Sequence, residues 1–126
     1  MQTIAIYARV SSDRQKVEQT IASQTAALED WAKTQNYRVP PEWIFEDEGY
    51  SGAILNRPGL EQLRDLAVEG QLEAILIYSP DRLSRKYAYQ VLLIEEFSRH
   101  GVEVIFLRSP KAETPEDQLL LQIVKK

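Results

Sequence analysis

Arginines are unevenly placed in this sequence, and their side chains indicate what chemistry it can do. Six of the nine arginines lie in stretches that follow short apolar runs: Arg9, Arg14, Arg57, Arg82, Arg85 and Arg108. The guanidinium group is a planar fork of hydrogen-bond donors that matches the oxygens of a phosphate group. The placement of these side chains therefore predicts a site for a phosphate or another polyanion.

Two serines lie among these arginines and are candidate nucleophiles. Ser11 and Ser12 stand between Arg9 and Arg14. A serine hydroxyl is a weak nucleophile at neutral pH, so it needs a neighbouring base or strong stabilisation of the transition state. The only histidine, His100, precedes the fourth apolar run, and the G-x-S-x-G sequence of serine hydrolases is absent, so a Ser-His-Asp triad is disfavoured. A serine that lies among arginines and lacks a histidine base favours attack on a phosphodiester, because positioning and charge neutralisation carry most of the catalysis of that reaction.

Each of these features also has a purely structural interpretation. Ser11, Ser12 and Asp13 can cap the helix that follows them. Asp81 and Arg85 are four residues apart and can form an ion pair on a helix surface. These alternatives stay open for each feature taken alone. The case for function is that the features share one edge of the predicted fold.

Four apolar runs, at residues 3–7, 43–45, 74–78 and 102–107, predict strands, and apolar residues recur at helical spacing between them. Strands that alternate with helices predict an α/β fold, here a single domain with a mostly parallel central sheet flanked by helices on both faces. In such a sheet, sites form in the loops at the carboxyl ends of the strands. We therefore expect the arginines and the candidate nucleophile, Ser11 or Ser12, to meet at that edge.

Composition narrows the classes of protein. The chain has 126 residues and no cysteine, with a hydrophobic share of 44% and a charged share of 27%, as in an ordinary soluble domain. The longest apolar run has five residues and no signal peptide is visible, so we expect a cytoplasmic protein outside the membrane. Fifteen Lys and Arg against nineteen Asp and Glu give a net charge of −4. That balance argues against tight nucleic-acid binding through bulk charge alone.

The end of the sequence predicts a helix that continues beyond it. Residues 114–117, T-P-E-D, form a typical helix start, and the apolar residues of 119–124 would lie on nearly every side of that helix. A surface helix has a single apolar stripe, so we expect this one to contact partners on several faces and to belong to a longer protein. The alternative is a short terminal helix packed into the core.

Four ordered blocks of this sequence resemble the serine recombinases, the resolvase/invertase family. Residues 7–15, YARVSSDRQ, resemble the family opening Y-x-R-V-S-S/T-x-x-Q, and Gln24 stands where the family has a glutamine on its first helix. Residues 47–52 with 57–58 resemble the block D-x-G-x-S-G…R-P, in the form seen in large serine integrases and transposon recombinases. Residues 81–85, DRLSR, resemble the block D-R-L-x-R. The resemblance covers essentially the whole chain.

The resemblance implies a role for each matching residue. Ser11 would attack a DNA phosphate and form a 5′-phosphoserine link, releasing a 3′-hydroxyl. Asp81 would orient an arginine or take part in proton transfer to the leaving oxygen. Guanidinium groups would surround the phosphate, namely those of Arg9, Arg57, Arg82 and Arg85. Asp47 and Gln24 would hold this arginine network in place. Gln15 and Ser51 would be polar residues around it. The family needs no metal, ATP or other cofactor.

The resemblance also implies an organisation and partners. Residues 1–112 would form the catalytic domain and residues 113–126 the start of a dimerisation helix. The partners would be DNA, bound specifically through further C-terminal domains, and other subunits, first in a homodimer and then in a tetramer during strand exchange. A hypothesis from another class is a non-catalytic α/β module that binds a phosphorylated or polyanionic ligand at its arginine-rich edge.

Overall fold

A four-stranded parallel sheet organises the computed structural model, which describes residues 2–10 and 20–108. Its strands, in the spatial order β2-β1-β3-β4, are β1 (Ile4–Val10), β2 (Ile44–Glu48), β3 (Ala74–Ile77) and β4 (Glu103–Phe106). All three pairings are parallel, with Ile6 opposite Ile44 on one side and opposite Leu76 on the other. The predicted α/β fold is confirmed, and each strand overlaps the apolar run that predicted it.

Helices connect the strands, as the helical spacing predicted. They are α1 (Ile21–Thr34), α2 (Pro58–Val68), the single turn α3 (Pro80–Leu83) and α4 (Tyr87–Arg99), and a 3-10 turn at Pro41–Trp43 precedes β2. The cap of α1 is Thr20, whose hydroxyl accepts a hydrogen bond from the Ser23 amide at 3.0 Å. Ser11, Ser12 and Asp13, the caps considered from sequence, lie outside the described residues. After α4, Gly101 adopts a positive φ of 75° and turns the chain into β4.

The helices cover both faces of the sheet, and the sheet divides the core into two layers. On one face, α2 and α4 bury a cluster that includes Tyr7, Leu63 and Phe97. On the other face, α1 packs Leu28 against Ile6 and its neighbours. Strands β1 and β3 are buried along their whole length, which explains why their sequences are continuously apolar up to Arg9.

Two local features differ from the sequence prediction. Asp47 and Glu48 lie beyond the apolar run 43–45 that predicted the second strand, yet they belong to β2 itself. This strand lies at the edge of the sheet, where alternate side chains such as Glu46 and Glu48 reach solvent and polar residues are tolerated. The turn α3 was not predicted, because four residues are too few to show a helical period.

The strand order creates a crevice between β1 and β3. From the carboxyl end of β1 the chain passes to β2 on one side, and from the carboxyl end of β3 it passes to β4 on the other. Open parallel sheets bind ligands at such a reversal of direction. The predicted helix at 114–126 lies outside the described residues. Within residues 2–10 and 20–108, every helix is too short or too polar to span a lipid bilayer.

Candidate active site

Arg9 lies at the end of β1 and connects two loops through backbone carbonyls. Its side chain is 1% exposed. The Nη1 group donates to the carbonyl of Tyr50 at 2.9 Å, after β2, while Nη2 donates to that of Asp81 at 2.7 Å and Nε to that of Arg82 at 3.1 Å. Arg9 therefore holds the loop after β2 and the turn α3 together at the carboxyl edge of the sheet.

The electrostatic environment of Arg9 is strongly positive. Burial, and then the charge of Arg57, lower the pKa of this guanidinium from 12.5 to about 10, and the charges of Arg82 and Arg85 add to the effect. At neutral pH Arg9 stays charged. The ion pairs formed by the described residues offer little compensation here, since Arg82 alone has a carboxylate within reach, that of Asp81 at 4.0 Å. An anion bound among these side chains would relieve their mutual repulsion.

Arg57, the N-cap residue of α2, points into the protein and is 0% exposed. Its Nε donates to the carbonyl of Ile54 at 2.9 Å, Nη2 to that of Leu83 at 2.6 Å, and Nη1 to the hydroxyl of Tyr7 at 3.0 Å. The guanidinium also lies 5.9 Å from the centre of the Tyr7 ring. The structure thus places Arg57 beneath the edge, where it links the loop after β2 to the end of α3.

Asp47 anchors the beginning of α2 from the neighbouring strand. Its carboxylate is 2% exposed and accepts hydrogen bonds from the amide of Gly59 at 2.7 Å, the amide of Leu60 at 3.0 Å and the hydroxyl of Tyr7 at 2.7 Å. Arg57, in the N-cap position, makes no such bond with its own side chain. A carboxylate is favourable at the positive end of a helix, so Asp47 supplies the missing cap.

Tyr7 joins Asp47 to Arg57, although the sequence pattern placed it in the first apolar run and gave it no role in the site. Its hydroxyl donates to Asp47 and accepts from Arg57, so the carboxylate reaches the arginine through a phenol rather than directly. Burial raises the pKa of this phenol well above its ordinary value. The charge of Arg57 acts in the opposite direction, and the hydrogen bond to Asp47 and the charge of that carboxylate raise the pKa further. The sequence did offer a signal for this role. Tyr7 lies in an apolar run that predicts a buried strand, and a buried tyrosine hydroxyl needs a hydrogen-bond partner.

Arg82, Asp81 and Arg85 surround the accessible side of the site. The Arg82 side chain is 16% exposed, that of Asp81 is 63% exposed, and Arg85 is exposed to solvent. The hydroxyl of Ser79 donates to Asp81 Oδ1 at 2.5 Å. The surface ion pair considered between Asp81 and Arg85 is not formed, since the carboxylate lies beside Arg82 instead.

Gly52 and Ser84, which the sequence analysis did not assign to the site, complete the contact between the loops. The Gly52 carbonyl accepts hydrogen bonds from the Ser84 hydroxyl at 2.8 Å and the Arg85 amide at 2.9 Å. A Cβ atom on Gly52 would lie 2.7 Å from both Arg85 Cγ and Arg9 Nη2. A glycine is therefore required here by close packing of two arginine side chains.

The other predicted site residues divide into two groups. Gln24 on α1 is completely buried and donates from Nε2 to the Arg9 carbonyl at 3.1 Å, and its Oε1 has no hydrogen-bond partner among the described residues. Ser51 is exposed, and its hydroxyl accepts from the Ala53 amide at 3.0 Å, within the loop. Ser11 and Gln15 lie outside the described residues, as does Arg14. In the part of the chain that the structure describes, no three His, Asp or Glu side chains are grouped as metal ligands.

The family model for the N-terminal domain of resolvases matches residues 4–126. The chain therefore belongs to the resolvase family of serine recombinases. Its fold is similar to the N-terminal catalytic domain of TP901-1 integrase, with a TM-score of 0.79 and 28% identity over 98% of this chain and 92% of that one. It is also similar to the C-terminal catalytic domain of ISC1926 TnpA, an IS607-like serine recombinase, with a TM-score of 0.74 and 26% identity over 98% and 96% of the two chains.

Curated relatives agree with this family. The chain is 38% identical over 117 residues to a putative DNA recombinase of Bacillus subtilis (strain 168), covering 92% of this chain and 22% of the relative. It is 38% identical over 101 residues to the Tn3 transposon resolvase of Escherichia coli, covering 80% of this chain and 48% of the relative. The chain thus spans between about a fifth and about half of the length of these two relatives.

Proposed function

We propose that this chain is the catalytic domain of a site-specific DNA recombinase that cleaves and rejoins strands through a phosphoserine formed on Ser11. The observation that carries the proposal is the group of positive side chains at the crevice between β1 and β3, where burial and the charges of Arg57, Arg82 and Arg85 lower the pKa of the Arg9 guanidinium. Ser11 follows Val10, the last residue of β1, by one position in the sequence. The nucleophile therefore follows directly from the strand that ends at this site.

The proposed reaction exchanges one phosphodiester for another. The Ser11 oxygen bonds to phosphorus while the bond from phosphorus to the 3′-oxygen breaks, and the serine proton is transferred overall to that 3′-oxygen. A 3′-hydroxyl of a second strand then reverses the step. Because the number of phosphodiester bonds is unchanged, the exchange requires no metal, ATP or other cofactor as an energy source.

The arginines have different proposed tasks according to their exposure. Arg82 and Arg85, which reach the surface, contact the phosphate oxygens and neutralise the charge that develops in the transition state. Arg9 supplies positive charge from just beneath them and keeps α3 in place through its carbonyl contacts. Asp81, beside Arg82, orients that guanidinium. Arg57 completes the positive field from the interior, through its hold on Leu83 at the end of α3.

The remaining polar residues are proposed to hold this arrangement. Asp47 acts through Tyr7 on Arg57, and Gln24 acts on the backbone of Arg9. Gln15 and Ser51 are proposed to lie around the bound phosphate.

The proposed partners are DNA and further copies of the same protein, as a dimer and then a tetramer. The net charge of −4 is compatible with DNA because the positive charge lies at one edge, whereas acidic residues such as Glu29, Asp65 and Glu95 lie exposed on the helices. Specific binding is assigned to regions of the parent protein outside this chain, and residues 113–126 to the start of a dimerisation helix.

A covalent-capture experiment separates this function from a non-catalytic module that only holds an anion. The intact parent protein is incubated with a nicked DNA substrate that cannot be rejoined, and protein attached to the 5′ end is detected by electrophoresis. We expect the adduct with the natural sequence and its loss in Ser11→Ala, while the matched control Ser12→Ala still forms it. Adduct formation by Ser11→Ala but not by Ser12→Ala would show that the wrong serine has been assigned. Absence of any adduct would favour the anion-binding module.

A further inference from the structure

Ser84 lies between the two surface arginines of the site and is itself completely buried. It is the C-cap residue that follows α3, and it has an extended backbone with φ −161° and ψ 149°. Its amide donates to the Pro80 carbonyl at 3.0 Å, and its carbonyl accepts from Gln90 Nε2 at 2.7 Å. Its hydroxyl donates to the Gly52 carbonyl at 2.8 Å and accepts from the Lys86 amide at 3.3 Å. Every polar atom of Ser84 is therefore used.

These bonds connect three segments that carry site residues. Gly52 belongs to the loop after β2, which also provides the Tyr50 carbonyl that Arg9 contacts. Gln90 belongs to α4 and is itself buried. The Ser84 hydroxyl and the Arg85 amide share one acceptor, the Gly52 carbonyl, so the backbone of Arg85 is fixed beside the loop.

The consequence for the arginines follows from packing at Gly52. Because Arg85 Cγ and Arg9 Nη2 both lie 2.7 Å from the place where a Gly52 Cβ would stand, the two side chains pass the loop side by side. Any separation of residue 84 from residue 52 would move Arg85 away from Arg9. The Ser84 hydroxyl is buried and both donates and accepts a hydrogen bond, so these bonds hold residues 84 and 52 at one fixed distance. Apolar packing would tolerate small shifts more easily, because it has no such directional requirement.

We infer that Ser84, supported by Gln90, is a positioning residue that sets the placement of Arg82 and Arg85 for the transition state. This inference rests on the proposed phosphoserine reaction. Because Ser84 is completely buried and its hydroxyl is bonded within the protein, its loss should slow the chemical step without weakening the binding of DNA. A misplacement of catalytic groups by about 1 Å can slow a reaction by about a hundredfold.

The test compares single-turnover cleavage by the intact parent protein and its variants across a range of enzyme concentrations, on the non-rejoinable DNA substrate. Ser84→Ala removes the hydroxyl and its two hydrogen bonds. Gln90→Met keeps the side-chain volume but removes the amide donor to the Ser84 carbonyl. It tests the same inference if Ser84→Ala does not fold. Val102→Ala is the matched control, because it removes buried apolar atoms at the opposite edge of the sheet. All variants are compared at a temperature where circular dichroism shows them folded.

The expected result is a cleavage rate at saturation that falls between about tenfold and about a hundredfold in Ser84→Ala and in Gln90→Met. The enzyme concentration that gives half of the maximal rate should stay unchanged in these two variants. For Val102→Ala, both the saturating rate and this half-maximal concentration should stay within about twofold of those of the natural sequence. Rates in Ser84→Ala and Gln90→Met that fall no further than in Val102→Ala would overturn the inference, as would a change confined to the half-maximal concentration. In both of those cases the natural sequence still forms the covalent adduct. If the natural sequence forms none, the proposed function fails and the inference fails with it.

Discussion

The Asp47→Asn substitution tests how α2 is attached to the sheet, and we expect it to destabilise the domain by about 3 kcal/mol. The natural carboxylate has an acceptor for every donor that faces it: Oδ1 takes the Gly59 amide, and Oδ2 takes both the Leu60 amide and the Tyr7 hydroxyl. Asparagine has almost the same shape but only one acceptor oxygen. Whichever way its amide group turns, its NH₂ meets at least one backbone N–H that no longer has a partner.

The magnitude follows from these lost contacts. One charge-assisted hydrogen bond contributes about 1.5 to 3 kcal/mol, and a buried donor without a partner costs about 1 to 3 kcal/mol. The lost negative charge at the helix start adds about 0.3 to 1 kcal/mol. These terms overlap, since they describe the same few atoms, so about 3 kcal/mol is the central expectation. For a domain of this size that corresponds to a fall in Tm of about 10 °C.

The assay is equilibrium unfolding in urea at neutral pH, followed by circular dichroism, with calorimetry for Tm. Glu48→Gln is the matched control, because Glu48 lies next to Asp47 on the same strand with an exposed side chain. We expect the control to change the free energy of unfolding by less than about 0.5 kcal/mol. A loss below about 1 kcal/mol for Asp47→Asn, or one equal to that of the control, would refute the view that this carboxylate caps α2.

Three further predictions concern the close contacts of the site. Gly52→Ala should destabilise the domain by about 1 to 3 kcal/mol, because its Cβ would lie 2.7 Å from two arginine side chains; a calorimetric Tm equal to that of the control Ser51→Ala would contradict this packing. Gly59→Ala should also destabilise, although alanine favours a helix by about 1 kcal/mol, because the new Cβ would lie 3.0 Å from both carboxylate oxygens of Asp47; a more stable variant in urea would refute the close approach. In an ultraviolet titration, the difference between the natural protein and Tyr7→Phe should report a phenol with a pKa above its ordinary value, since burial disfavours the phenolate. The stability linked to that raised pKa is fully present below about pH 10, the pKa of a tyrosine in the unfolded chain, and is lost as the pH rises through the folded pKa. The natural protein should therefore lose more stability above about pH 10 than Tyr7→Phe does. A phenol that titrates at the ordinary value would contradict its burial.

Much of the fold could be predicted because its signals are local. Apolar runs without charges overlap β1 and β3, the two inner strands, and Pro58, a residue type that is common in the first turn of helices, is the first residue of α2. Once the strands were assumed parallel, the rule that their carboxyl ends form sites located the arginine-rich edge. Arg9, Arg82 and Arg85 do meet there, through the carbonyl and charge interactions of Arg9.

The directions of the polar side chains could not be predicted in the same way. Arg57 and Arg85 look equivalent in the sequence, yet one is buried and bonded to carbonyls while the other reaches solvent. A backbone carbonyl is present at every position, so an arginine that donates to carbonyls has no sequence signature. The cap that Asp47 provides for α2 and the bond from Ser84 to Gly52 also cross between elements, and such pairs become visible only after the chain has folded.

The hydrogen bonds of Arg9 have a consequence for the way in which the domain folds. Its three acceptors lie 41, 72 and 73 residues further along the chain, and the bond between Arg57 and Tyr7 spans 50 residues. Contacts of such long range form only when large loops close, as does the pairing of β1 with β3, in which Ile4 lies opposite Ala74. Before that point the arginines are separate charges on an open chain, each free to bind any passing polyanion weakly. The concentrated positive field therefore arises only in the cooperative step that completes the sheet, and an anion that prefers this field would stabilise the folded state.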